Sequence, residues 1–296
     1  MTQSTDISEL IKRMASPALR TSEVVNQYYT LCIPFYREFL GNHWHTGYYP
    51  PEGPLGPHDQ LRMECHIAAS AGLTVDCKVL DVGCGIGGPA CHLAQITGAR
   101  IHGLTPNPVQ LELARSLALT KNVADKVCFD LGDAGALPYA DASFDVVLFF
   151  ESACHFPDRT RFFHEAYRVL RQGGRLAGED WLAGEALSID QLDRYIRPIC
   201  NTWAIPTLGT RAGYAEGMRA AGFTVREAVD LRHEMALLRG FMVDPGDRMQ
   251  VSEEMQSTAD PVRRMIMESL LHLGEAAEAG AFTVGRFLAV KNGNGS

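Results

Sequence analysis

The chain of 296 residues is 46% hydrophobic and 21% charged, a balance typical of a folded globular protein and not of a disordered or fibrous one. Its net charge of −8 lacks the basic surplus expected of a protein that wraps nucleic acid. No apolar run approaches the roughly twenty residues of a membrane-spanning helix, and the polar N-terminus does not resemble a secretory signal. The eight cysteines include no C-x-x-C pair. We therefore expect a cytoplasmic protein with reduced thiols, no bound metal and no nucleic-acid partner.

Residues 1–57 are predicted to form a helical segment, with the character of a lid, ahead of the main domain. A helix over 6–15 has Asp6 and Glu9 in capping-box positions and ends before Pro17. A second helix and a glycine-containing aromatic loop follow it. Because the first helix has an apolar face with no evident partner in the main domain, we expect it to dock on a neighbouring subunit and make the protein a homo-oligomer.

Helices and strands alternate over residues 58–296, which we interpret as one domain. Strand-forming segments occur at 78–82, 100–104, 127–130, 145–150, 175–181, 222–229 and 282–290. This alternation predicts an α/β fold with a Rossmann-like, doubly wound sheet of seven strands and helices on both faces, in which the first five strands form a parallel sheet. The connections at about 182–221 and 231–281 are longer than usual, so we expect helical insertions that cover a pocket.

A glycine-rich loop, Gly83-x-Gly85-x-x-Gly88, follows the first strand and opens a helix. Such a loop suits either a dinucleotide or S-adenosylmethionine (SAM). Asp81 just before it is unfavourable for a pyrophosphate but favourable for a ligand that carries an ammonium and a sulfonium. After the second strand, Thr105 and Pro106 stand where an NAD enzyme places a ribose-binding acid, and we expect Gln110 to bind the ribose hydroxyls instead. These features favour SAM.

Four segments between Asp81 and Gly174 resemble, in the right order, the motifs of class I SAM-dependent methyltransferases. Residues 81–85 resemble the cofactor loop, 132–139 the adenine-binding segment, 143–147 the fourth strand and 170–174 the turn before the fifth. The resemblance implies that Asp133 contacts the adenine amino group and that Ala134 supplies a backbone contact. The cofactor-binding candidates are Asp81, Gly83, Cys84, Gly85, Thr105, Pro106, Gln110, Asp133, Ala134 and Glu151.

The N-terminal tyrosines extend the resemblance to sterol and prenyl C-methyltransferases, in which such tyrosines lie beside the SAM methyl group. A threonine in place of the ribose acid is similar to the subgroup that contains sterol and cyclopropane fatty-acid methyltransferases. Residues 199–209 resemble the geranyl diphosphate C-methyltransferase branch, which includes bacterial terpenoid C-methyltransferases such as the teleocidin-pathway enzyme. The resemblance implies methyl transfer to an alkene carbon of a lipophilic, prenylated or terpenoid small molecule, with cyclisation as one fate of the resulting carbocation.

Glu151, His155, Tyr29 and Tyr48 are the catalytic candidates. Glu151 follows the fourth strand, at the edge where ligands of doubly wound sheets bind, and we expect it to stabilise the carbocation or remove its proton. His155 is its polar neighbour, and the two tyrosines, with Trp181 and Trp203, form an aromatic wall. The arginines show no convergent spacing, so we expect an uncharged acceptor instead of a diphosphate.

The alternative is an O- or N-methyltransferase of a small natural product, in which His155 takes the role of base. A non-enzymatic SAM- or NAD-binding module is a further alternative, which the two long insertions disfavour.

Overall fold

The computed structural model of the protein describes residues 7–52, 55–240 and 245–292 and contains the predicted seven-stranded sheet flanked by helices. The strands are β1 (Lys78–Val82), β2 (Arg100–Thr105), β3 (Val127–Leu131), β4 (Phe144–Phe150), β5 (Leu170–Ala183), β6 (Thr224–Asp230) and β7 (Phe282–Val290). The helices are α1 (Ile7–Ala15), α2 (Ser22–Phe39), α3 (Pro57–Ser70), α4 (Gly88–Thr97), α5 (Pro108–Thr120), α6 (Arg159–Val169), α7 (Ile189–Gln191), α8 (Arg197–Thr202), α9 (Arg211–Ala220), α10 (Pro245–Ser257) and α11 (Pro261–Glu278). A π-helical turn, Leu192–Ile196, joins α7 to α8. Asp6, the expected cap of α1, lies outside the described residues.

The strand order is β3-β2-β1-β4-β5-β7-β6, and the first five strands in space are parallel. The seven-stranded doubly wound sheet is confirmed, and it is mixed, because β7 runs antiparallel to both β5 and β6. The reason lies in the second insertion. Helices α10 and α11 pack against each other and bring the chain back beside Ala183, at the carboxyl end of β5, so β7 has to run in the opposite direction.

Local sequence signals explain where the elements near the site begin and end. The Asn107 side chain caps α5 by accepting hydrogen bonds from the backbone nitrogens of Val109 and Gln110. Gly98 ends α4 in the left-handed conformation. The glycines at 173 and 174 lie within β5 instead of between α6 and β5, and the β4–β5 register shifts across them. These elements fix the carboxyl edge of the sheet.

The N-terminal helices and the two insertions form a helical cap that shares one apolar core. Leu10 and Met14 of α1 are buried in this core with Trp203 and Leu273 from the insertions. The face of α1 that was expected to dock on a neighbouring subunit is therefore covered within the same chain, where α1 packs on α2 and α8. Homo-oligomer formation stays a prediction, without that surface to support it.

The eight cysteines are free thiols, and six of them are buried. Of the helices in the described ranges, none combines the length and apolarity needed to cross a bilayer.

Candidate active site

The loop between β1 and α4 depends on glycines at two close approaches. Gly83 has a φ of +81°, and a Cβ there would lie 2.3 Å from the Cβ of Ser152. A Cβ on Gly88 would lie 1.9 Å from the carbonyl oxygen of Asn42, so the N-terminal segment rests directly on the first turn of α4. These two glycines let Ser152 and the N-terminal segment pack against the loop, and it is at Gly85, which lines the adjacent cavity, that a Cβ would meet no atom closer than 4.0 Å.

A cavity of about 300 Å³ lies at the carboxyl ends of β1, β2 and β4, the edge where doubly wound sheets bind ligands. Most of the site residues predicted from the sequence line it: Tyr29, Gly83, Gly85, Thr105, Pro106, Gln110, Asp133, Ala134, Glu151 and His155. Thr105 Oγ1 donates to Gln110 Oε1 at 2.8 Å, and Asp133 Oδ1 accepts from the backbone nitrogen of Gly135 at 2.6 Å. We call this space the cofactor cavity.

Helix α2 contributes residues to the cofactor cavity beyond Tyr29, the residue of this helix that was predicted there. Asn26 lines the wall, and its Nδ2 donates to the carbonyl oxygen of Pro106 at 3.2 Å. In return, Asn107 Nδ2 donates to the carbonyl oxygen of Asn26 at 3.0 Å. No local pattern marks these residues, because their role depends on how α2 docks on the sheet. The other lining residues that were not predicted include Ser22, Val25, Trp44, Phe156 and Arg161.

Three predicted site residues do not line this cavity. Asp81 is buried directly before Val82 and Gly83, which do line it, and Cys84 is buried with its sulfur close to Gly103 of β2, inside the sheet–helix core. Tyr48 was expected beside the methyl group, but its ring stacks on His66 at 4.1 Å and its hydroxyl donates to the carbonyl oxygen of Glu234. Tyr48 therefore closes the loop against α3 and does not reach the site.

A second cavity of about 110 Å³, which we call the acceptor cavity, adjoins the first and shares Tyr29, Trp44, Glu151 and His155 with it. Tyrosine and tryptophan side chains form much of its wall, and Trp181 and Trp203 are among them. The ring centroids of these two tryptophans lie 4.7 Å apart. Tyr36, Leu40, Tyr49, Cys154, Leu270 and Leu273 complete its apolar surface, and His45, Thr46 and Gln60 add polar atoms. No Lys or Arg is among the lining residues that the structure describes.

Glu151 stands where the two cavities meet. It has a φ of +44°, a strained conformation for a residue with a side chain. Its Oε1 accepts from the backbone nitrogen of Thr46 at 2.8 Å, and its own nitrogen donates to the carbonyl oxygen of Glu179. Burial raises the pKa of Glu151 to about 7. The side chain can therefore act as a base or as an acid near neutral pH.

His155 lies across the junction, where its Nε2 is 2.7 Å from the hydroxyl oxygen of Tyr29. Burial lowers the pKa of His155 to about 4, so the imidazole is neutral at physiological pH. Two further buried acids lie behind Glu151 on β5. Burial raises the pKa of Glu179 well above its ordinary value and that of Asp180 to about 6, and Asp180 accepts a hydrogen bond from Tyr214.

The residues of the cofactor cavity fit SAM. Asp81 precedes the lining residues Val82 and Gly83, its buried Oδ2 has no hydrogen-bond partner in the described part of the chain, and the ammonium group of SAM would add a positive charge on this side of the cavity. The glycine loop gives the close backbone approach, and Thr105 and Gln110 present polar atoms after β2. SAM would supply an electrophilic methyl group at the junction with the acceptor cavity.

Comparison with known proteins agrees with this geometry. Residues 80–178 match the family described as a methyltransferase domain. The chain is 35% identical to methyltransferase GfsG of Streptomyces halstedii over 72% of this chain and 77% of that protein. It is 32% identical to the 27-O-demethylrifamycin SV methyltransferase of Amycolatopsis mediterranei over 85% of this chain and 86% of that protein. The sterol 24-C-methyltransferase of Pneumocystis carinii is 35% identical over 54% of this chain, but the match spans only 42% of that longer protein.

Among solved structures, the [4+2]-cyclase SpnF superposes with a TM-score of 0.77 at 26% identity, covering 92% of this chain and 97% of that one. The geranyl diphosphate C-methyltransferase of Streptomyces coelicolor A3(2) superposes with a TM-score of 0.67 over 91% of this chain and 97% of that one. Because the identity is 15%, this likeness shows the shared fold alone. The sequence relationships, the seven-stranded sheet and the cofactor cavity lead to one conclusion: the chain belongs to the class I SAM-dependent methyltransferases and is an enzyme that uses SAM as its cofactor.

Proposed function

We propose that this methyltransferase transfers the SAM methyl group to an alkene carbon of an uncharged, lipophilic prenylated or terpenoid small molecule. The observation that carries the proposal is the acceptor cavity, whose aromatic wall opens onto the cofactor cavity at a partly buried carboxyl group, Glu151. The relationship to a sterol 24-C-methyltransferase supports methyl transfer to carbon. The absence of Lys and Arg from the described lining supports an uncharged acceptor over a diphosphate.

The proposed reaction needs no group outside this site except SAM and the acceptor. The alkene π electrons form the new carbon–carbon bond, the carbon–sulfur bond of SAM breaks, and S-adenosylhomocysteine leaves as a neutral thioether. The positive charge moves to the neighbouring acceptor carbon, where each aromatic face stabilises it by about 0.5–2 kcal/mol. Glu151 then accepts a proton from an adjacent carbon and a new alkene forms. Capture of the cation by another alkene of the acceptor would give a ring instead.

The test uses CD₃-labelled SAM with a panel of prenylated and terpenoid acceptors, and it locates the label in the product by NMR. The label should be bound to carbon. The Glu151→Gln variant should lose turnover by at least about 100-fold, the usual range for a missing general base or acid, while its SAM affinity changes little. Glu253→Gln, at an exposed position, is the matched control. Undiminished turnover in Glu151→Gln would show that this carboxyl group plays no part.

A second candidate, methyl transfer to a hydroxyl oxygen, is favoured by two observations. His155 is a neutral imidazole at the same junction and could accept the hydroxyl proton. In addition, the relative matched over most of its length is named for methylation at an oxygen position, 27-O of rifamycin. In this case the labelled methyl group would appear on oxygen, and His155→Gln would lose turnover more severely than Glu151→Gln.

A further inference from the structure

A buried histidine forms part of the wall of the acceptor cavity, close to the junction with the cofactor cavity. His45 is 4% exposed. Its Nε2 is 2.9 Å from Glu64 Oε1, and its Nδ1 is 2.9 Å from the carbonyl oxygen of Thr46. A carbonyl oxygen can only accept, so Nδ1 carries a hydrogen. The proton between Nε2 and Glu64 then decides whether His45 is an imidazolium or a neutral ring.

The surroundings of Glu64 place that proton on His45. The Glu64 carboxyl group is buried and is contacted by three imidazoles: His43 Nδ1 at 2.6 Å and His45 Nε2 on Oε1, and His92 Nδ1 at 2.5 Å on Oε2. A carboxylate can accept all three hydrogen bonds at once, whereas a protonated carboxyl group would lose part of that capacity. Hydrogen bonds to the ionised form favour ionisation, so Glu64 is the anion and His45 the cation.

The pKa directions agree with this assignment. Burial alone would lower the pKa of His45, but the hydrogen bond and charge of Glu64, followed by the charge of Glu151, bring it above its ordinary value. Burial alone would raise the pKa of Glu64, but the hydrogen bonds from the three histidines bring it well below its ordinary value.

A metal ion is the competing explanation for the same cluster. The ligand atoms of His43, His45 and Glu64 lie within 4.8 Å of one another. In a tetrahedral site with metal–nitrogen and metal–oxygen bonds of about 2.0–2.2 Å, neighbouring ligand atoms are about 3.3–3.5 Å apart. The nitrogen–oxygen distances of 2.6 and 2.9 Å are hydrogen-bond lengths instead. Protons therefore account for the geometry better than an ion does.

His45 reaches Glu151 through one intervening residue. Its ring donates to the Thr46 carbonyl oxygen, and the Thr46 nitrogen donates to Glu151 Oε1 at 2.8 Å. Trp181 Nε1 donates to the Thr46 hydroxyl at 3.1 Å, so Thr46 is held from three sides. The acids that act on His45 come from four elements: Glu64 on α3, Glu179 on β5 with its Oε1 3.7 Å from Nδ1, Glu151 after β4, and Asp81 on β1. His43 on the same loop and His92 on α4 face it across Glu64.

We propose that His45 is a constitutive imidazolium and a positioning residue, held by Glu64, that favours the carboxylate form of Glu151 and keeps it aimed at the junction of the two cavities. The role of Glu151 in this statement rests on the proposed function, whereas the charge on His45 does not. Glu179 is buried and adjoins Glu151, so both carboxyl groups cannot be ionised easily. A fixed positive charge next to them favours the carboxylate form of Glu151.

The first experiment reads the charge of His45 without any acceptor. In protein labelled with ¹⁵N-histidine, both ring nitrogens of His45 should have the chemical shifts of an imidazolium from pH 6 to 8, with the signal assigned by its loss in His45→Gln. In Glu64→Gln the carboxylate is gone but the side chain keeps its size, and His45 should become neutral within this range. His58→Gln, at an exposed position on α3, should change nothing at His45. A neutral His45 in the native enzyme overturns the proposal, and so does one equivalent of tightly bound metal found by elemental analysis.

The second experiment measures the pH dependence of kcat at saturating SAM and acceptor. In Glu64→Gln the acidic limb of the kcat–pH profile should shift to higher pH by about one pH unit or more. An opposite charge changes the pKa of a neighbouring carboxyl group by an amount of this size. KM for SAM should change much less, and a thermal melt should confirm that the variant is folded. An unmoved limb in a folded Glu64→Gln overturns the positioning role. If the native enzyme methylates oxygen and Glu151→Gln keeps its activity, the proposed function fails, while the NMR result still decides the charge of His45.

Discussion

SAM affinity should depend on pH through Asp81. Burial, followed by the charge of Glu64, raises the pKa of Asp81 to about 7, and its Oδ2 has no hydrogen-bond partner among the described residues. Val82 and Gly83, the next two residues, line the cofactor cavity. The positive charges of SAM favour the carboxylate, so protonation of Asp81 competes with binding. Its ionised fraction in the free enzyme rises from about 9% at pH 6.0 to about 76% at pH 7.5, and linkage gives a Kd about eightfold weaker at the lower pH.

Isothermal titration calorimetry with SAM at these two pH values tests the reasoning. Asp81→Asn should bind more weakly at pH 7.5 and should show less than about a twofold difference between the two conditions, because the titrating group is gone. Glu151 also titrates near pH 7, so Glu151→Gln is the matched control and should keep the pH dependence of the native enzyme. A native Kd that is the same at both pH values, or an Asp81→Asn variant that keeps the eightfold change, would refute the assignment.

Three further outcomes are expected. Gly83→Ala should abolish the thermal stabilisation by SAM, because the new methyl group would lie 2.3 Å from the Cβ of Ser152 on a backbone with a φ of +81°. Arg20→Ala should lower the free energy of unfolding, measured in urea, by about 3 kcal/mol, because it leaves the buried carbonyl oxygens of Met14 and Ile205 without their donor. A decrease of less than about 1 kcal/mol would contradict this. The pKa of Glu64 is lowered on folding, so its contribution is present above the unfolded pKa of about 4.3 and is lost as pH falls further. The gap in Tm between native enzyme and Glu64→Gln should therefore narrow between pH 5 and pH 3.

The cofactor cavity could be predicted well from the sequence because its contacts are local to the strand ends. Thr105, Gln110 and Asp133 follow strands whose apolar patterns are clear, and parallel pairing brings those ends to one edge. Side-chain direction within the glycine loop was harder to predict. Cys84 follows Gly83 directly, yet its sulfur turns into the core, because backbone dihedrals and not proximity in sequence decide which way a side chain points.

The acceptor side was less predictable because it is assembled from distant segments. Tyr48 lies in the expected loop, but its ring stacks on His66 of α3, a contact that no periodic pattern encodes. The cluster around Glu64 is similar: its histidines at positions 43, 45 and 92 come from a loop and a helix that meet only in the folded chain. A buried acid on an amphipathic helix looks like an ordinary surface residue until its partners are known.

The antiparallel strand at the end of the chain has a consequence for how the protein is made. β7 pairs with β5 along its whole length: Arg175 lies opposite Val290 at one end of the ladder, and Ala183 lies opposite Phe282 at the other. β6 lies outside β7 at the edge of the sheet. During synthesis β6 leaves the ribosome more than fifty residues before its neighbour, and until then β5 presents an open edge that invites pairing with other chains. Such distant pairing is slow to form. We expect nascent or truncated chains that stop before Phe282 to be chaperone clients and to aggregate.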